Sequence, residues 1–181
     1  MAKVVWGMIM SVDGFINDKE GSLAELYASF EPNEEINEAM AKTGAVIMGR
    51  NSFEMSEDTD AYADNYEFQV PLFILTHHPP EKHLKENDKL TITFVNDGIE
   101  DAISQARAAA GEKNVVVLGA STGQQALKAG LVEELQIAIA PILLGQGLRF
   151  FDHLENFEIR LEKVLTIETA RQVEIWYKVI R

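Results

Sequence analysis

The chain predicts an α/β protein: a mixed, mostly parallel sheet flanked by helices and finished by an antiparallel hairpin. Three observations predict it. Short apolar runs at 45–48, 70–76 and 115–118 alternate with segments of helical period, as in β-α-β units whose strands are buried on both faces. Beyond residue 156 the period changes to two, with Phe157, Ile159 and Leu161 alternating with Glu158, Arg160 and Glu162. Finally, 181 residues with 46% hydrophobic content suit one domain over residues 1–181, large enough to bury about 70% of its unfolded surface.

The elements follow in order. Residues 4–10 form an apolar first strand that ends at the Asp13-Gly14 turn. Pro32 and Asn33 precede a helix over 34–42, in which Ile36 and Met40 share a face and Glu34 and Glu35 complement the helix dipole. Gly44 is expected to stop it. Residues 45–48 are a buried strand ending in Gly49, and 51–55 begin a short helix. The polar stretch 56–67 has no clear period. A strand over 70–76 is closed by His77-His78-Pro79-Pro80, and 90–95 alternates as a half-exposed strand does.

Residues 99–110 form a helix with Ile99, Ala102, Ile103, Ala106 and Ala110 on the buried face and Gly111 as its terminator. A strand over 115–118 precedes a helix over 123–129, capped by Ser121 or Thr122 and stopped by Gly130. Residues 135–140 make a strand ended by Pro141. The segments 157–162 and 173–179, joined by the polar 168–172, form the hairpin, with a bulge at Glu162-Lys163. Val173, Ile175, Tyr177 and Val179 make its apolar face, and Glu174, Trp176 and Lys178 alternate with them. Trp6 and Trp176 are expected to pack in or beside the sheet.

Composition excludes several classes. With no cysteine, a disulfide scaffold, a thiolate nucleophile and a cysteine-based metal site are all ruled out. A net charge of −13 argues against non-specific nucleic-acid binding, which needs a basic face. The acid is concentrated: fourteen acidic residues against three basic ones between Asp13 and Glu67 carry −11 of that charge. This is the pattern of a solvated acidic face, or of a surface that selects ligands by charge. No apolar run approaches the ~18 residues of a membrane span, and no leader pattern follows the first strand. The expectation is a cytoplasmic protein without a membrane partner.

Three strand-to-helix junctions carry small or glycine-flanked polar residues: Gly49-Arg50-Asn51-Ser52, Gly119-Ala120-Ser121-Thr122-Gly123 and Thr76-His77-His78. Ligands of open α/β sheets bind at the carboxyl ends of strands, where helix amino termini offer free amides to anions. Glycines let backbone approach a diphosphate, hydroxyls donate to it, and Arg50 is placed to reach a phosphate. The same residues also read as ordinary turns and caps, and they match neither a P-loop nor a dinucleotide glycine fingerprint. Asp13 is either an Asp-Gly turn residue or a carboxylate at a cleft mouth, able to orient a substrate or relay a proton. His77, His78 and His83 share a loop without metal-ligand spacing, so no metal is expected.

The segments Ser11-Val12-Asp13-Gly14-Phe15, Gly49-Arg50-Asn51-Ser52-Phe53-Glu54 and Val117-Leu118-Gly119-Ala120-Ser121 occur in that order. They are followed by Gly130-Leu131-Val132-Glu133-Glu134-Leu135, Pro141-Ile142-Leu143-Leu144-Gly145-Gln146-Gly147 and Phe150-Phe151. Together they resemble the dihydrofolate-reductase-like family that includes the reductase domain of bifunctional riboflavin-biosynthesis enzymes, and more closely its stand-alone bacterial members. The resemblance extends over essentially the whole chain. It implies a dihydrofolate-reductase-like fold, a homodimer, and NADPH bound across the carboxyl ends of the sheet. On the matching positions, Gly49, Arg50 and Ser52 would meet cofactor phosphates. Leu75, Thr76 and His77 would lie near the adenosine 2′-phosphate. Gly119, Ala120, Ser121, Thr122 and Gly123 would hold the diphosphate and approach the nicotinamide, and Asp13 would border the substrate pocket as the catalytic residue. Two departures stand out: Gly119-Ala120 where the family often has two glycines, and His77-His78 where dihydrofolate reductases often offer arginine.

The activity implied is transfer of a hydride from NADPH to a small heterocyclic substrate, as in the reduction of 5-amino-6-(5-phosphoribosylamino)uracil. A pterin such as dihydrofolate is the alternative substrate, and a non-catalytic nucleotide-binding protein is the alternative role.

Overall fold

A computed structural model describes residues 2–56, 58–81, 84–155 and 157–181. The strands are β1 (Val4–Ser11), β2 (Thr43–Gly49), β3 (Leu72–Leu75), β4 (Ile92–Val95), β5 (Asn114–Leu118), β6 (Glu134–Ala140), β7 (Arg160–Glu168) and β8 (Val173–Ile180). They join in one sheet of order β4-β3-β2-β5-β1-β6-β8-β7. Pairing is parallel from β4 through β6 and antiparallel for β6–β8 and β7–β8. The expected mixed sheet with its terminal hairpin is therefore what the chain forms.

The helices are α1 (Ala24–Tyr27), α2 (Glu34–Ala41), α3 (Arg50–Phe53), α4 (Tyr62–Asn65), α5 (Ile99–Ala110) and α6 (Ala120–Lys128), with a 3₁₀ turn at Thr59–Ala61. They divide between the two faces. On the first, α5 and α6 cover Trp6, Ala45, Ile47, Val115 and Val117. On the second, Phe53 of α3 and Tyr62 of α4 cover Val46, Met48, Leu72, Ile74 and Val116. Strands buried on both faces explain the unbroken apolar runs, since neither set of alternating side chains meets water.

Several local expectations change. Gly44 does not stop a helix: Lys42 caps α2, and Gly44 lies in β2 at a register shift against β5. A Cβ there would stand 2.8 Å from the Ala110 carbonyl oxygen, so the residue permits a close approach of α5 to the sheet. The stretch 56–67 holds α4, whose Tyr62 and Ala63 are buried. Tyr62 stacks on Phe53 at 4.8 Å and donates its hydroxyl to the Phe53 carbonyl. One helical turn is too short to show a period.

The hairpin bulge falls between Lys163 and Leu165, one step beyond the expected position. The extra residue places Leu165 opposite Trp176 and Ile167 opposite Glu174. Glu174 and Trp176, expected to alternate with the apolar face, are themselves buried. Glu174 Oε1 accepts from Trp176 Nε1 at 2.6 Å and from Gln136 Nε2 at 2.9 Å, which gives the buried carboxylate two donors. No helix among the described residues is long and apolar enough to cross a membrane.

Candidate functional site

Strands β2 and β5 are neighbours, yet the helices that follow them leave on opposite faces, α3 to the second and α6 to the first. A crevice must open between the two departing chains, at the carboxyl ends of the strands. The structure has a cleft of about 590 Å³ there, within the range of small-molecule sites. Gly49, Arg50 and Ser52 line it from the β2 side, and Leu75, Thr76 and His77 from the β3 side. Gly119, Ala120, Ser121 and Thr122 line it from β5 and α6. A larger hollow of about 730 Å³ lies at the opposite ends of the strands, beside Lys3, Lys42, Asn114 and Trp176. It contains none of the glycine-flanked turns.

The two central turns are fitted to one another. Gly119 has φ +88°, and a Cβ on it would stand 2.8 Å from Ser52 Oγ. A Cβ on Gly49 would stand 3.0 Å from Thr122 Oγ1. Gly119 also precedes α6 as its N-cap residue, without a side-chain cap. The helix thus begins at Ala120, three residues before the expected start, and Ser121 and Thr122 sit in its first turn. The Gly119 N–H donates to Met8 Sδ at 3.2 Å, while the first-turn amides of α6 have no carbonyl four residues back to bond. Amides, the hydroxyls of Ser52, Ser121 and Thr122, and the Arg50 guanidinium form a donor-rich set suited to a diphosphate.

Arg50 also has a structural duty. Its Nε donates to Glu54 Oε1 at 2.7 Å and its Nη1 to the His78 carbonyl at 3.0 Å. The Glu54 contact is half-exposed and contributes little stability by itself. The bond to the His78 carbonyl fastens the loop after β3 to α3. Within that loop Thr76 Oγ1 accepts from the His78 N–H at 3.1 Å. His77 and His78 line the cleft; His83 lies outside the described residues.

Two expected site residues are elsewhere. Gly123 does not line the cleft: a Cβ on it would lie 2.0 Å from Trp6 Nε1, so its empty side is filled by indole and not by a ligand. Asp13 does not line the cleft either. Its carboxylate accepts from Ser11 Oγ at 2.6 Å, from the Gly145 N–H at 2.7 Å and from the Leu144 N–H at 3.1 Å. Those bonds clamp the loop after β1 to the loop after β6. The Ser11 hydroxyl holds the Asp13 carboxyl below its ordinary value; partial burial opposes this, and the Gly145 and Leu144 amides reinforce it. A carboxylate with lowered pKa and such bonds is a poor proton donor at neutral pH.

The linkage has a definite sign. Asp13 binds its proton less readily folded than unfolded, so its stabilisation is present above the unfolded value of ~3.9 and is lost as pH falls through the lower folded value. Asp13→Asn is expected to lower the melting temperature at pH 7 and to narrow that deficit towards pH 3. Melting curves at four pH values check this; a deficit independent of pH would remove the charge from the clamp.

The cleft has further walls beyond the residues the sequence predicts. Met8 projects from inside β1, while Ile16, Asn17, Gly21 and Leu23 come from the loop after it and Leu148 from the loop after β6. Asn96 and Gly98 complete the β4 side. Gly98, with φ +98°, ends a loop after a strand and begins α5, the same arrangement as Gly119, and could have been read in the same way.

The RibD C-terminal domain family matches residues 2–173. A putative riboflavin biosynthesis protein from Shewanella sp. PV-4 superposes with a TM-score of 0.77 and 27% identity, covering 100% of both chains. A Thermotoga maritima protein, a diaminohydroxyphosphoribosylaminopyrimidine deaminase/5-amino-6-(5-phosphoribosylamino)uracil reductase, has a TM-score of 0.68 at 10% identity. The match spans 99% of this chain and 57% of that longer one. Dihydrofolate reductase from Enterococcus faecalis, in complex with NADP(H), matches at TM-score 0.62 and 14% identity over 98% of this chain and 96% of that one. At those identities the last two establish the shared fold. With nearly its full length matched, the chain belongs to the RibD C-terminal domain family, on the dihydrofolate-reductase-like fold.

Proposed function

We propose that the protein is an NADPH-dependent reductase of a small heterocyclic substrate. The observation that carries this reading is the cleft between the departing α3 and α6, where two fitted glycine turns, a helix amino terminus, three hydroxyls and Arg50 converge. The reductase activity of the Thermotoga relative and the NADP(H) held by the Enterococcus neighbour support the same reading.

In this reading NADPH supplies the hydride, and the chain supplies position and electrostatics. The first turn of α6, Ser52 and Arg50 hold the diphosphate, and Thr76 and His77 face the adenosine end. Asp13 acts as a positioning residue that fixes the loop after β1. Among the described lining residues there is no carboxylate, so no Asp or Glu of the cleft wall supplies the proton that accompanies hydride addition.

Thermal denaturation with NADPH, with NADH and with neither tests the reading. A nucleotide at 100 times its Kd is expected to add ~2.7 kcal/mol of stability. No shift with either nucleotide at millimolar concentration overturns it. A shift with NADPH, but no oxidation of it with pterins, pyrimidine ribosylamines or quinones, makes the protein a nucleotide binder that keeps the fold.

A further inference from the structure

We infer that the β1 end of the cleft receives an uncharged, unphosphorylated planar ring, with the Asn17 side-chain amide donating to an acceptor on it. The inference rests on the reductase reading for what fills the rest of the cleft.

Strand order sorts the cleft walls. Arg50, His77 and His78 stand over β2 and β3, the cationic end. Across β5 at β1 the walls become Met8, Ile16, Leu23 and Leu148, with Asn17 and Gly21. This end has no titratable side chain among the described lining residues.

The two cations nearest in sequence do not line the cleft. Arg149 adjoins Leu148, but its guanidinium lies over the Phe15 ring at 4.6 Å and does not line the cleft. Lys19 is exposed and pairs with Glu20 at 3.4 Å. The same loop carries Asp13, Asp18 and Glu20, and Glu25 follows in α1. A phosphate monoester would bring a charge of about −1.5 to −2 into acidic surroundings where no cation lines the wall. A flat uncharged ring escapes that charge penalty and gains contact with four apolar side chains.

Asn17 supplies the polar contact. Its Oδ1 accepts from the Leu148 N–H at 2.7 Å, which leaves Nδ2 without a protein partner among the described residues. The Ile16 N–H donates to the Leu148 carbonyl at 2.8 Å. A Cβ on Gly147 would stand 1.9 Å from the Asn17 carbonyl oxygen. The loop is thus held closely on both sides, and the amide is preorganised to meet a carbonyl or ring nitrogen.

Isothermal titration of NADP⁺-saturated protein tests this with lumazine and with 5-amino-6-ribosylaminouracil, free and as its 5′-phosphate. The free ribosylaminouracil is expected to bind at least tenfold more tightly than its phosphate ester. Asn17→Asp keeps the acceptor for Leu148 and removes the donor. It should weaken lumazine about tenfold, with NADP⁺ affinity within twofold of the parent and an unchanged melting temperature. Equal or tighter binding of the phosphate ester, or an Asn17→Asp variant with undiminished ring affinity, overturns the inference while the reductase reading stands; nucleotide binding with no ring binding at all overturns the inference and leaves a nucleotide binder. A chain that binds no nucleotide refutes both.

Discussion

Gly123→Ala is expected to cost about 3 kcal/mol of stability, read from urea denaturation. Helix propensity alone gives the opposite sign, because alanine in a helix interior is favoured over glycine by ~1 kcal/mol. Packing decides the outcome. The new Cβ would stand 2.0 Å from Trp6 Cε2 and Nε1 and 2.4 Å from Cδ1. Trp6 is fully buried and cannot swing aside, because its ring is 4.6 Å from that of Phe150 and 5.5 Å from that of Phe151. In a Trp6→Leu background the added methyl has somewhere to go, so the double variant should be no less stable than Trp6→Leu alone. A single variant as stable as the parent would sink this account.

The cost has a functional side. Trp6 lies in β1, Gly123 in the first half of α6, and the Gln124 side chain donates to the Phe150 carbonyl at 3.1 Å. The turn that walls the cleft is thereby bolted to the central strand and to the loop after β6. Trp6 Nε1 is buried without a hydrogen-bond partner, a loss of about 1–3 kcal/mol that the packing must offset.

Legibility in the sequence followed the range of the interactions. The twelve residues of α5 and all five of its buried positions could be read directly, because three turns repeat the apolar face three times. The junctions at Gly49 and Gly119 were equally plain, since the chemistry of a strand-end turn is local. Gly123 faces Trp6 and does not line the cleft, a placement its sequence context leaves open. A glycine inside a helix admits either a ligand or a large side chain, and sequence does not say which neighbour takes the space. Asp13 was visible as a turn residue, but its partners are the amides of Leu144 and Gly145, more than 130 positions away. Asn17 and Leu148 meet over a similar separation. The glycine turns of the cleft are thus local in sequence, whereas its apolar wall exists only after the sheet has formed.

Gly119→Ala should separate the two demands placed on one glycine. At φ +88° and ψ 147° an alanine pays ~1–3 kcal/mol for a backbone conformation essentially restricted to glycine, and its Cβ would also meet Ser52 Oγ at 2.8 Å. Ser52→Ala deletes that oxygen and leaves Ser52 Cβ at 4.0 Å, an ordinary contact. The single variant is therefore expected to lose about 3 kcal/mol by urea denaturation, and the double variant to recover the steric share while keeping the backbone strain. Affinity for NADPH should move differently. The single variant tilts the turn that opens α6 and should bind NADPH at least tenfold more weakly. The double variant should bind no better, because it has also lost a hydroxyl of the proposed phosphate cradle. Recovery of stability without recovery of affinity is the pattern a nucleotide cradle demands. If NADPH bound equally well to the parent and to both variants, the fitted turns would be structural joints only, and the nucleotide would have to sit elsewhere.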